Sequence, residues 1–227
     1  MQVIKFPATG PWKIHFPTDG SDIGGSDPKS YGYTIVPGEK PSVVMTQSGN
    51  MAPPVFPAWM LYPASPIPLP AAEPTMNVEL SFSFWVDTFT QAAANVVETD
   101  TLFSIKGADG KTFLYNGSAQ VIIASGLLEV GSPGAGWSST GVKIPSFTPN
   151  TEHEIRIAYT INTVAHTISV LSYTVDGIVY AVPVANQNVP GEAQTWAIGA
   201  YLQIQQGGLL AGNPFTYRFG GFTYIIC

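Results

Sequence analysis

The side chains best suited to grip a polar ligand in this sequence recur at every second position of three stretches. Tyr201, Gln203 and Gln205 alternate with Leu202 and Ile204 within residues 195–205. Asn77, Glu79 and Trp85 alternate with Val78, Leu80, Phe82, Phe84 and Val86 within residues 77–87. Glu154 and Arg156 alternate with Ile155, Ile157 and Tyr159 within residues 153–160. Side chains point to opposite faces of a strand with period 2, so each stretch predicts a strand with one apolar and one polar face. If the three strands share a sheet, these eight residues form one polar surface. A flat aromatic can stack on the C–H face of a sugar while amides, Arg and carboxylates bond its hydroxyls. The surface therefore predicts binding of a glycan or polysaccharide, without catalysis.

Other chemistries find fewer residues. Asp19, Asp22 and Asp27 lie in a glycine-rich loop, D-G-S-D-I-G-G-S-D, and could converge on one Ca²⁺. Their spacing lacks the Glu at the twelfth position of an EF-hand, and a solvated loop uses the same residue types. No other cofactor is expected. The histidines, His15, His153 and His166, have no metal-ligand spacing and read as ordinary strand residues. No G-x-S-x-G segment exists to present a serine nucleophile.

Composition narrows the field further. Only 11% of the 227 residues are charged, 45% are hydrophobic and 12% aromatic, with 23 Gly and 20 Pro. Few charges, many β-branched and aromatic residues and frequent turn formers predict an all-β protein. Nine basic against fifteen acidic residues give a net charge of −6 with no basic cluster, which argues against nucleic acid or anionic lipid as partner. No apolar run is long enough to span a bilayer. The single cysteine, Cys227, cannot form an internal disulfide. The N-terminus lacks an apolar signal segment, yet the expected setting is extracellular or on a cell surface. Oligomeric state is not legible.

The elements that must position these residues are short strands and tight turns. Strands are predicted at 12–16, 31–36, 42–46, 77–88, 101–106, 112–116, 119–124, 126–130, 153–161, 164–175, 178–184, 195–205 and 215–226. Asp109-Gly110, Asn116-Gly117 and Asp176-Gly177 read as hairpin turns with positive φ, and Asn162-Thr163 closes another hairpin. Gly220-Gly221 predicts a bulge or close backbone contact. Residues 91–98 and 118–129 are the two segments that raise the question of a helix. Proline-rich residues 51–75 predict extended, polyproline-like chain lying across a sandwich, with Trp59 and Tyr62 tucked in. The expected organisation is an N-terminal extension, residues 1–75, packed on an antiparallel jelly-roll β-sandwich, residues 76–227.

The order of elements from F-S-F-W-V-D through E-I-R-I-A-Y and T-V-D-G to G-A-Y-L-Q resembles the concanavalin A-like lectin/glucanase jelly roll, including its laminin-G-like members. Gly199 to Gln203 is similar to the K-A-G-x-Y-x-Q block of alginate-lyase-like enzymes, which implies roles for Tyr201 and Gln203. The family's R-[ST]-E-L strand would correspond to N-V-E-L, keeping Glu79 but putting Asn77 in place of the Arg. Its Q-[IV]-H block would fall on Ser104 to Lys106, and its Lys position on Ala197. The resemblance thus implies a lyase with a non-standard site, built on Tyr201, Glu79 and Arg156, as the alternative to a lectin. The retaining-glucanase E-x-D-x-x-E strand is absent. A structural or adhesive surface or virion module is the third reading.

Overall fold

A computed structural model describes residues 1–6, 12–15, 31–37, 42–47, 58–63, 73–87, 96–106, 111–132, 136–183, 186–188, 198–205 and 215–227, with side chains in 1–5, 37, 73–87, 96–105, 111–131, 136–183 and 218–227. Strands are numbered β1 to β17 in chain order. The period-2 alternation of residues 77–87 becomes β6 (Thr75–Val86), in which Met76, Val78, Leu80, Phe82, Phe84 and Val86 are buried while the intervening residues face outward. Such a strand stabilises itself by burying one whole face, at about 1.5–3 kcal/mol for each large side chain.

β6 is the centre of sheet A. Along one side it pairs with β11 (Glu152–Asn162), in register from Glu152↔Trp85 to Asn162↔Thr75. Along the other it pairs first with β17 (Phe222–Ile226) and then with β16 (Phe215–Phe219). Arg218 stands opposite Trp85 but Thr223 opposite Ser81, so the register slips by one residue between them. The slip is the bulge predicted at Gly220-Gly221. The Gly220 N–H bonds the Ser83 carbonyl, and a Cβ at Gly220 would meet Ser83 Oγ at 2.6 Å. Outward from β11 come β12 (Thr167–Val175) and then β13 (Ile178–Ala181), with β14 (Asn186–Asn188) also on β12. Beyond β16 come β4 (Ser42–Gln47) and β3 (Tyr31–Val36), and β1 (Gln2–Phe6) pairs with β17.

Sheet B runs, in order, β10 (Gly136–Lys143), β9 (Leu127–Ser132), β8 (Thr112–Ile122), β7 (Val96–Lys106), β15 (Ile198–Gln205), β5 (Ala58–Pro63) and β2 (Trp12–His15). The described pairings are all antiparallel. The sheets bury their inner faces on one another in a single core. Phe103 of sheet B meets Tyr224 of sheet A edge-to-face, and Thr101 Oγ1 donates to the Tyr224 hydroxyl at 3.1 Å. No helix occurs among the described residues, so the all-β antiparallel sandwich stands.

Several local expectations give way to tertiary structure. Asn116-Gly117 is no turn: β8 runs unbroken from 112 to 122. Gly117 faces inward, where a Cβ would lie 2.8 Å from Tyr159 Cε1 and 2.9 Å from Ile168 Cδ1, so the glycine serves close packing of one sheet on the other. Residues 96–98 and 118–129 are strand and hairpin, because both pair with β7 or β8 neighbours. β10 was not foreseen, since G-W-S-S-T-G-V-K alternates too weakly to signal a strand. Residues 58–63 of the proline-rich segment form β5, paired on both sides; Ala58 to Tyr62 contain no proline and keep their N–H donors. Strands from both sides of residue 75 are interleaved in both sheets. Asp176 and Gly177, at φ 50° and 82°, make the predicted β12–β13 turn.

Candidate functional site

The three strands expected to share a sheet do not. β6 and β11 lie in sheet A and β15 lies in sheet B, so the eight residues divide between the two outer faces of the sandwich. Asn77, Glu79, Trp85, Glu154 and Arg156 face outward from sheet A. Tyr201, Gln203 and Gln205 belong by register to the outer face of sheet B. The set Tyr201, Glu79 and Arg156 is therefore not assembled, because two packed layers stand between its members. The alternation was legible in the sequence; the pairing partner of each strand was not.

On sheet A the polar residues satisfy one another. The Arg218 guanidinium lies over the Trp85 ring at 4.3 Å, a cation–π contact that occupies one aromatic face. Arg156 Nε donates to Glu154 Oε1 at 2.8 Å, and each side chain is 53% exposed. The Glu154 carboxylate, by hydrogen bond and charge, raises the Arg156 pKa further. An ion pair this exposed contributes little.

His153 is more than an ordinary strand residue. It is buried between Phe84 and Phe147, and its Nδ1 lies 2.7 Å from Asp176 Oδ2. Its Nε2 lies 3.0 Å from the Thr148 N and 3.1 Å from the Thr148 O. Asp176 Oδ1 in turn accepts the Glu154 N–H at 2.8 Å. With Nε2 committed to backbone, the pair cannot activate a serine; it ties the β12–β13 turn to the loop before β11. Among the described residues no three His, Cys, Asp or Glu side chains gather for a metal. Asp19, Asp22 and Asp27 lie outside the described residues.

The outer face of sheet B is different in kind. β7 alternates Val97, Thr99, Thr101 and Phe103 inward against Glu98, Asp100 and Ser104 outward. β8 alternates Tyr115, Gly117, Ala119 and Val121 inward against Asn116, Ser118 and Gln120 outward. Register then builds rows across the strands. Gln203 is opposite Glu98, Glu98 opposite Gln120, and Gln120 opposite Glu129 of β9. Tyr201 is opposite Asp100, and Asp100 opposite Ser118.

These groups are recessed. Ser118 is 8% and Gln120 7% exposed, far less than polar side chains on an open sheet face would be. Gln120 Nε2 donates to Glu129 Oε2 at 2.7 Å, and Ser118 Oγ donates to Asn116 Oδ1 at 3.2 Å. Asp100 Oδ1 is enclosed with no hydrogen-bond partner. Burial pushes the Asp100 carboxyl up to about 7, and a hydrogen bond with Ser118 offsets part of that rise. The face can thus offer a protonatable carboxyl, two further carboxyls, amides and a hydroxyl within three neighbouring strands. Glu98, Asp100, Asn116, Ser118, Gln120 and Glu129 escaped the sequence reading because their segments, 91–98 and 118–129, left helix and strand unresolved. The signal was present as E-T-D and S-A-Q alternation.

The chain matches no protein-family model and no curated protein. Solved structures do match over nearly the whole chain. An alginate lyase, Aly36B, is 12% identical with a TM-score of 0.51, covering 98% of this chain and 96% of its own. An endo-β-1,4-glucuronan lyase from the fungus Trichoderma reesei is 8% identical with a TM-score of 0.53, covering 97% and 93%. A carbohydrate esterase from the Shiga toxin-encoding bacteriophage phi24B is 13% identical with a TM-score of 0.55, covering 97% and 96%. At such identities the likeness speaks for architecture. The fold of this chain is the concanavalin A-like jelly roll.

Proposed function

We propose that the chain recognises a polysaccharide, without cleaving it, through the outer face of β9, β8, β7 and β15. The observation that carries this reading is the recessed row Glu98–Gln120–Glu129, its members one strand spacing apart at about 4.8 Å. A carboxylate and a fixed amide side by side can bond neighbouring sugar hydroxyls in pairs, and burial keeps water from competing. Tyr201 and Gln203 extend the rows by register, so an aromatic residue stands where a sugar ring would stack. Enzymes whose names specify carbohydrate substrates share the architecture, which fits this ligand class. Such ligands are met outside the cell, which is the setting we propose.

One observation favours a second reading, a polysaccharide lyase or hydrolase. A carboxyl that is still half protonated near pH 7 can act as a general acid, and Asp100 stands beside Tyr201 in register. Such a reaction would use Asp100, Glu98 and Tyr201, not Glu79 or Arg156. The test is a panel of soluble polysaccharides, with and without Ca²⁺, followed for binding, for new reducing ends and for the ultraviolet absorbance of an eliminated sugar. Binding that Tyr201→Ala and Gln120→Ala weaken, with no product formed, is the expected result. Product formation lost in Asp100→Asn would replace recognition with catalysis. No binding anywhere on the panel would refute both and leave a structural or adhesive module.

A further inference from the structure

We infer that the glycan taken by the sheet B face carries no carboxylate or sulfate groups along its chain. This rests on the glycan reading above and narrows its ligand class. Glu98 and Asp100 both face outward from β7, two residues and so about 7 Å apart. Glu129 lies two strands from Glu98, about 10 Å away across Gln120. Three carboxyl groups therefore surround the centre of the face. Its best-placed donor, the Gln120 amide, is engaged with Glu129. A sugar acid seated there would meet like charge in a recessed site, where solvent screens poorly and misplaced charges cost most.

Basic residues on the same face stand at its margins. Lys106 ends β7 opposite Thr112, six residues and roughly 20 Å from Asp100. Lys13 and His15 belong to the edge strand β2, three strands and about 14 Å from β7. Lys143 lies in the opposite edge strand, β10, facing Leu127, likewise three strands from β7. These distances exceed the Debye length of about 8 Å at physiological salt, so none of the four offsets Glu98 or Asp100. Arg156 and Arg218 face outward from the other sheet.

The experiment compares binding of the full chain to neutral and uronate oligosaccharides of equal length, at low salt and at about 0.5 M salt, where charge is screened over a few ångströms. Neutral oligosaccharides should bind about tenfold tighter or more at low salt. High salt should shrink that preference, and so should Glu98→Gln, once its melting curve shows a folded chain. Uronates that bind as tightly as neutral sugars at low salt would overturn this inference and leave the glycan reading standing. Binding of neither kind would overturn the two together.

Discussion

Replacing Gly117 by Ala tests whether the recessed face is set by the packing beneath it. The new Cβ would lie 2.8 and 2.9 Å from the Tyr159 ring and 2.9 Å from Ile168 Cδ1. Carbon atoms prefer about 3.5–4.0 Å, so three contacts fall short by about 0.6 Å or more. Both neighbours are fully buried, which leaves the ring little room to withdraw. Two effects oppose each other. Alanine is worth roughly 0.5–1 kcal/mol more than glycine within a strand, and overpacking costs about 1–3 kcal/mol. The net expectation is a loss of about 1–2 kcal/mol. For a chain of this size that lowers Tm by roughly 2–8 °C. Ile168→Val removes one of the three contacts, so the double variant should recover part of the loss and the pair should not be additive. Because Gly117 lies between Asn116 and Ser118, glycan binding should weaken as well. A Tm at or above that of the parent would refute the packing argument.

Three further predictions follow from single residues. The Asp100 carboxyl is raised from 3.8 to about 7, so the folded chain holds a proton that the unfolded chain has released in that window. Its contribution to stability therefore falls as pH rises from about 4 to 7 and stays lost above. Asp100→Asn should gain in Tm over the parent across that range and hold a constant lead beyond it; parallel curves would contradict the burial assigned to this group. His153→Ala removes a buried ring and its bonds to Asp176 and Thr148, and should cost about 2–4 kcal/mol by denaturant unfolding. Arg156→Ala should change stability by less than about 1 kcal/mol in the same assay, and a larger loss would mean that the exposed ion pair is better ordered than its setting implies.

What the sequence by itself determined was local. Period-2 alternation predicted β6 and β11 closely, because one face of each is wholly buried and each contrast is repeated five or six times. Asp176-Gly177 announced its turn for an equally local reason, the positive φ that such residues tolerate. Polar groups at Tyr201, Gln203 and Gln205 were visible on the same grounds, and so was the class of fold.

Tertiary structure decided which strands are neighbours, and therefore which polar faces coincide. Alternation states that a residue faces away from the core but not which of two sheets it faces away from. Tyr201 thus parted from Glu79 and Arg156 and joined Asp100 and Glu98. The same limit explains Gly117. Asn-Gly is a turn in any isolated hairpin, and only the approach of Tyr159 from the facing sheet makes that glycine a packing residue within an unbroken strand. Burial of the Asp100 carboxyl is a property of the assembled sheet. No spacing within the chain encodes it, since the desolvation that raises its pKa comes from residues far apart in sequence.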